Sequence, residues 1–210
     1  MELQRRVLDI FRYVSCHKNN FETYSIITES VLVDTGSFFD SLCQTLIRGM
    51  SSSGMHFKQE GQIPNFAQKA SGRDNFNFGD YRTLLEGEFA VSGRQVNLNP
   101  YEDAFYANPT SYAPDNVTGY QVAPFQEWAT GTPSPWWSAF TDLKHDRLRN
   151  FRQATLGNLI HALAAVFIVL TLQNEPLFKG GHVAPNLYEL FLPKYWRSKG
   201  RIFPGNFLWE

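Results

Sequence analysis

The densest set of side chains able to do chemistry in these 210 residues lies between Lys144 and Arg152. His145, Arg149 and Arg152 fall at i, i+4 and i+7, a spacing that stacks them along one stripe of a helix. An imidazole titrates near neutrality and can trade a proton, while guanidinium groups can grip a phosphate through paired hydrogen bonds. With Arg147 they supply the residue types that metal-independent RNA cleavage needs: a base or acid near neutral pH and cations for the phosphate. His145, Arg147, Arg149 and Arg152 are therefore the candidate catalytic residues. The same stripe is also what the solvated face of a half-buried helix looks like.

Winding the segment at 100° per residue places Lys144 and Arg147 on the other side, with Phe140, Leu143, Leu148 and Phe151. A charge on a core-facing surface needs a partner, because an unpaired buried charge costs several kcal/mol. Asp34, on the same face of an earlier helix as Ile27, Val31 and Phe38, is the expected partner of Lys144 or Arg147 in a structural ion pair. The other reading is that both long side chains snorkel outward. Trp136 and Trp137, just upstream, complete the candidate binding set of Lys144, His145, Arg149 and Arg152. Together with tyrosines of the middle of the chain they could also wall a small-ligand pocket.

Other chemistries find no support. There is no Gly-rich phosphate loop, no HExxH and no GxSxG. No Cys/His cluster has zinc-ligand spacing, so no metal and no cofactor is expected. Cys16 and Cys43 sit in helical, apolar contexts and read as buried free thiols. His161 lies in an apolar stretch and reads as a core histidine. Glu86 and Glu88 read as a solvated turn, and Gly36 as a helix irregularity.

These residues need a scaffold, and the sequence suggests a mainly α one. The strongest apolar run, Leu159 to Leu172, is short for a membrane span and contains His161 and Thr171, so it reads as a buried core helix. It continues back through the charged segment to a Pro133-Ser134-Pro135 start, which predicts one long helix from Trp136 to Leu172. Near the N-terminus, Leu3, Val7, Ile10, Phe11 and Val14 mark one helical face. A second helix starts at Thr23 or Ser25 and ends at the glycines and serines 49–54, with Ile27, Val31, Phe38, Leu42 and Leu46 on one side. Residues 51–135 differ, holding seven of the eleven prolines. They read as a loop-rich insertion with a short helix over Asp80 to Glu86. A small β-hairpin follows, turning at Ser92-Gly93. A short helix is expected from Asn186 to Phe191, and the aromatic tail beyond Lys194 should pack on the body.

The chain thus reads as a single domain, 1–210, with a helical core from about 1–50 and 136–192. Aromatic residues make up 15% of the chain, which suits a compact irregular core. The net charge of −1 gives no global field to gather nucleic acid or anionic lipid, so any such binding must come from a local patch. The N-terminal residues lack the apolar run of a signal peptide, which together with the thiols points to the cytoplasm and to no membrane partner.

The run Trp136-Trp137-Ser138-Ala139-Phe140-Thr141-Asp142-Leu143-Lys144-His145-Asp146-Arg147, then Phe151 to Asn158 and an Ala/Leu/Val stretch, resembles a signature of bacterial HEPN-like helical proteins. There the helix reads Trp-Trp, an aromatic, Asn, Lys-His-x-Arg and an Ala-rich core. Phe21 to Arg48 is similar to that fold's long early helix, and residues 51–135 would be the insertion. The resemblance implies a HEPN-like helical bundle, often a homodimer. Many members are ribonucleases of toxin–antitoxin and phage-defence systems, and others bind nucleotides or are non-catalytic. Catalytic members place His a few residues after an Arg. Here eight residues separate Arg152 from His161, and Lys144-His145-Asp146-Arg147 puts His first. Thr141 and Asp142 stand where the Asn belongs. The resemblance then implies a non-catalytic binding or scaffold module with an RNA or protein partner, linked to phage defence or mobile elements.

Overall fold

The computed structural model describes residues 2–98, 121–172 and 191–193. Its described part is mainly helical. The helices are α1 (Glu2–Phe11), α2 (Ile26–Ser52), α3 (Phe66–Ala70) and α4 (Phe78–Phe89), followed by the strands β1 (Val96–Leu98) and β2 (Gln121–Val122). Then come α5 (Pro135–His145), α6 (Arg147–Asn150), a 3₁₀ turn over Phe151–Gln153, α7 (Leu156–Leu172) and the strand β3 (Phe191–Pro193).

α2 is the spine. Ser25 caps it, its hydroxyl accepting the Thr28 amide at 3.0 Å. Val31, Leu42 and Leu46 are buried as their spacing predicts, whereas Ile27 and Phe38 of the same expected face are exposed. α1 lays Val7 and Ile10 against the core. Arg6 ties it to α2 through Asp34 at 2.6 Å and Ser30 at 3.0 Å. α7 is apolar on every side, and the other elements enclose it: twelve of its seventeen residues are buried.

An aromatic cluster joins α2 to α5. Phe39 packs against Phe125, Trp128, Trp136 and Trp137 with ring centroids 5.0–6.5 Å apart. The Trp136 indole and the Ser134 hydroxyl both donate to the Pro124 carbonyl, at 2.8 and 2.6 Å. Gly36 lets the two helices meet. A Cβ there would lie 2.3 Å from ring carbons of Phe140. The sequence reading of Gly36 as an irregularity is thus replaced by a close approach that only glycine permits.

Two expected elements differ. No hairpin turns at Ser92-Gly93. The first arm belongs to α4, which Asn77 and Asp80 start with a capping box. Ala90 ends it in the left-handed region at φ 47°, and Ser92 spends its amide and hydroxyl on Glu86. β1 instead sits between β2 and β3, antiparallel to both. Phe191, expected at a helix end, lies in β3. The rest of the helix expected from Asn186, the tail beyond Lys194 and the sequence from Asn99 to Tyr120 lie outside the described residues. Cys16 and Cys43 are free and buried, as expected. None of the described helices is long and apolar enough to cross a membrane.

Candidate functional site

The single long helix does not exist. It breaks twice, and the breaks create the charged elbow that carries the candidates from Lys144 to Arg152. At Asp146 the backbone leaves the helical region (φ −149°, ψ 89°), and the side chain turns back to accept the Arg149 amide at 3.2 Å. Asn150 reinforces the corner by donating to the carbonyls of Asp142 and Asp146, at 3.1 and 2.9 Å. Gln153 adds a bond to the Asp142 carboxylate at 3.0 Å.

The second break faces the segment before α2. Thr155 forms an isolated bridge with Tyr24. Leu156 and Gly157 donate their amides to the carbonyls of Thr23 and Phe21, at 2.8 and 2.9 Å. The first amides of α7, orphans of any helix start, thus find partners in another strand of chain. The Thr155 hydroxyl accepts the Asn158 amide at 3.2 Å and completes the cap. The sequence holds the signal, since Asp146 and Thr155 are both N-cap residue types each followed closely by a new helical run.

These corners rearrange the expected stripe. His145 is the last residue of α5, Arg149 lies in α6 and Arg152 in the 3₁₀ turn, so the three do not share one helix. All three are exposed. Lys144 and His145 end α5, where positive charge meets the negative pole of the helix. Lys144 is also exposed, 5.6 Å from the Phe140 ring centroid.

The expected ion pair is corrected in its partner. Asp34 goes to Arg6. Arg147 does reach α2, but it meets Glu29, with Nε 3.1 Å from Oε1. The contact is an ion pair without a well-aligned hydrogen bond, since that Glu29 oxygen is buried and has none. Neither Lys144 nor Arg147 is core-facing: Arg147 lies beyond the break at Asp146, where the face of a continuous helix no longer applies, and Lys144, still on α5, is exposed. Leu148, expected in the core, is 94% exposed.

Arg149 approaches its own cap residue, Nε to Asp146 Oδ2 at 3.3 Å. Both Arg147 and Arg149 thus approach a carboxylate through Nε, the inner edge of the guanidinium, with no hydrogen bond there. No bond to their outer nitrogens occurs among the described residues, and Arg152 has no ion pair among them. Such a group suits a carboxylate or phosphate, which binds the outer edge of the fork through two oxygens. The site gains no enclosed proton-transfer geometry: His145 stands on the rim with water around it, and two of the three arginines already face carboxylates.

Trp136 and Trp137 do not join this surface. Trp136 is fully buried with its N–H committed to Pro124. Trp137 packs among Phe78, Tyr81 and Phe140. Trp136 is thus a core residue and Trp137 a half-buried one packed against the core. His161 is largely buried on α7, and that burial pushes its pKa below the ordinary value, with Glu127 opposing the shift. Among the described residues no group of three or more His, Cys, Asp or Glu could hold a metal ion.

Sequence reasoning missed two neighbours of the elbow. Glu29 is one. Tyr24, whose ring stands edge-on to Phe151 at 5.5 Å, is the other. Only the position of Tyr24 beside the Ser25 cap marks it in the sequence. No family model, curated protein or solved structure matches this chain.

Proposed function

We propose that the chain is a non-catalytic, HEPN-like binding or scaffold module of the cytoplasm, whose recognition surface is the elbow between α5 and α7. One observation carries the reading. The candidate charged side chains stand exposed on a corner that the fold builds with side-chain caps and cross-chain hydrogen bonds, so the surface is fixed in shape before a partner arrives. The mainly helical architecture supports the HEPN-like part of the proposal, as does the Lys144-to-Arg147 segment seated against the long early helix.

Binding is favoured over RNA cleavage because the residues available for cleavage lack mutual orientation. A general base must reach the proton that it takes, and a cation must face the charge that develops. Among the described residues His145 makes no hydrogen bond to any of the three arginines that would do so. The test is RNA incubated with clean wild-type protein and with His145→Ala. Equal, background-level decay in both is expected. Cleavage by the wild type that His145→Ala abolishes would overturn the non-catalytic reading.

A further inference from the structure

We infer that α1 is a strap that opens from the body as a unit, hinged just beyond Phe11 and latched by Arg6, while α2, the elbow and α7 stay closed.

The ties of α1 are few and separable. Its other charged side chains pair locally. Arg5 reaches Glu2 at 2.6 Å and Asp9 at 3.3 Å, and Arg12, just past the helix end, reaches Asp9 at 3.5 Å. Arg6 alone turns to α2. Its Nη1 donates to Asp34 at 2.6 Å and its Nη2 to Ser30 at 3.0 Å. Among the described residues α1 makes no other side-chain hydrogen bond to another element. The apolar hold comes from Val7 and Ile10, which are buried, while Leu3, Leu8 and Phe11 are only partly covered. A helix of ten residues is too short to persist by itself in water. Its order depends on this one docked face, so α1 comes away whole and not residue by residue.

The next stretch of chain limits the opening. Arg12 and Tyr13 are exposed, but Cys16 and Phe21 beyond them are buried. The Phe21 and Thr23 carbonyls accept the first amides of α7, and Tyr24 bridges Thr155. These bonds pin the chain ahead of α2 to the elbow, so the swing of α1 ends at that clamp. Opening uncovers the core surface that Val7 and Ile10 close. It also lifts a cation off α2. Asp34 and Phe38 each lie within about 20° of Ile27 around that helix, and Ile27 and Phe38 are already exposed. Arg6 therefore seats between two exposed apolar side chains, and the strap changes what this stripe of α2 presents to water.

The test is native-state hydrogen exchange of the full-length protein, read by NMR. Amides of Val7 to Phe11 report on α1 and those of Leu163 to Val169 on α7. Corrected for intrinsic rates, the α1 amides should exchange at least about tenfold faster, through one shared opening. Thr155→Ala weakens a cap that stays made when only the strap opens. It should speed exchange in α7 by about twofold or more and leave α1 unchanged. Arg6→Met and Asp34→Asn break the latch, and each should speed exchange in α1 by about threefold or more. The latch is lost in the unfolded chain too, so α7 should follow by the same factor. Low urea gives a check on the wild type: exchange in α1 should rise less steeply than in α7, because its opening exposes less surface. If Thr155→Ala speeds α1 and α7 alike, or their urea slopes are equal, α1 opens only when the whole protein unfolds and the strap is overturned. Exchange in α1 that neither Arg6→Met nor Asp34→Asn alters overturns the latch.

Discussion

Gly36→Ala should destabilise the protein although alanine is the better helix former. The gain in helix propensity is about 1 kcal/mol at an interior helical position. Against it stands a steric cost. The new Cβ would lie 2.3 Å from two ring carbons of Phe140 and 2.8 Å from a third. Carbon atoms settle near 3.5–4.0 Å, so the ring must retreat by roughly 1 Å or more. It has little room, being 3% exposed with the Trp137 ring 5.3 Å away. Overpacking of this kind costs about 1–3 kcal/mol and can cost more; set against the gain, the net loss should reach up to about 2 kcal/mol. Gly49 supplies the control. It lies in the same helix with nothing within 4 Å of an added Cβ, so Gly49→Ala should be neutral or stabilising by up to ~1 kcal/mol. Urea unfolding followed by tryptophan fluorescence and far-ultraviolet circular dichroism reads both values. In a Phe140→Leu background the penalty at Gly36 should shrink, a coupling that the double-mutant cycle isolates. If Gly36→Ala stabilises as much as Gly49→Ala, the close approach of α2 and α5 is wrong, and with it the seating of the elbow.

The two corners can be loosened one at a time. Asp146→Ala and Thr155→Ala each remove a cap and should cost about 0.5–2 kcal/mol in urea unfolding; no loss in either would mean that the caps do not hold the breaks. Lys69 and Asp80 form a buried ion pair at 2.6 Å, so Lys69→Met strands a carboxylate and should cost about 3–5 kcal/mol by the same assay. A cost near zero would show that Asp80 stays satisfied by Asn77 alone. His161 sets a pH dependence. Its folded pKa lies below the ordinary 6.5 because burial disfavours the charged ring. The unfolded chain then binds the proton first, so stability should fall as pH drops below 6.5 toward the depressed folded value, and be flat above. His161→Asn should lessen this slope in unfolding midpoints between pH 7.5 and 5.5, and an unchanged slope would contradict the assignment.

The helical frame was legible because short-range chemistry decides it. Ser25 announces α2, the serines and glycines after Ile47 close it, and the all-apolar run after Leu159 can only be an interior helix. The long helix was misread because periodicity continues across Asp146 and Thr155. What breaks it there is side-chain capping and a bridge to Tyr24, a residue more than a hundred positions away. That error carried into the site. A wheel drawn through the break put Arg147 and Leu148 inside, where a partner such as Asp34 was needed; the real corner turns them outward and brings Glu29 to Arg147, while Lys144, ahead of the break, reaches solvent beside the Phe140 ring. The hairpin failed for a related reason. Ala90 takes a left-handed conformation more usual for glycine, and Phe89 before it remains helical. Gly36 gave no local hint, since its purpose is set by Phe140 on another helix.

The elbow's role is tested most directly inside the cells that make the protein. A photo-reactive phenylalanine analogue is placed at Leu148 in one strain and at Tyr13, which is 88% exposed on the α1 side, in another. One discrete adduct is expected from position 148 on illumination. It should be lost when Arg149→Glu/Arg152→Glu is added and be absent from position 13. No adduct at 148, or the same products from both positions, would contradict it.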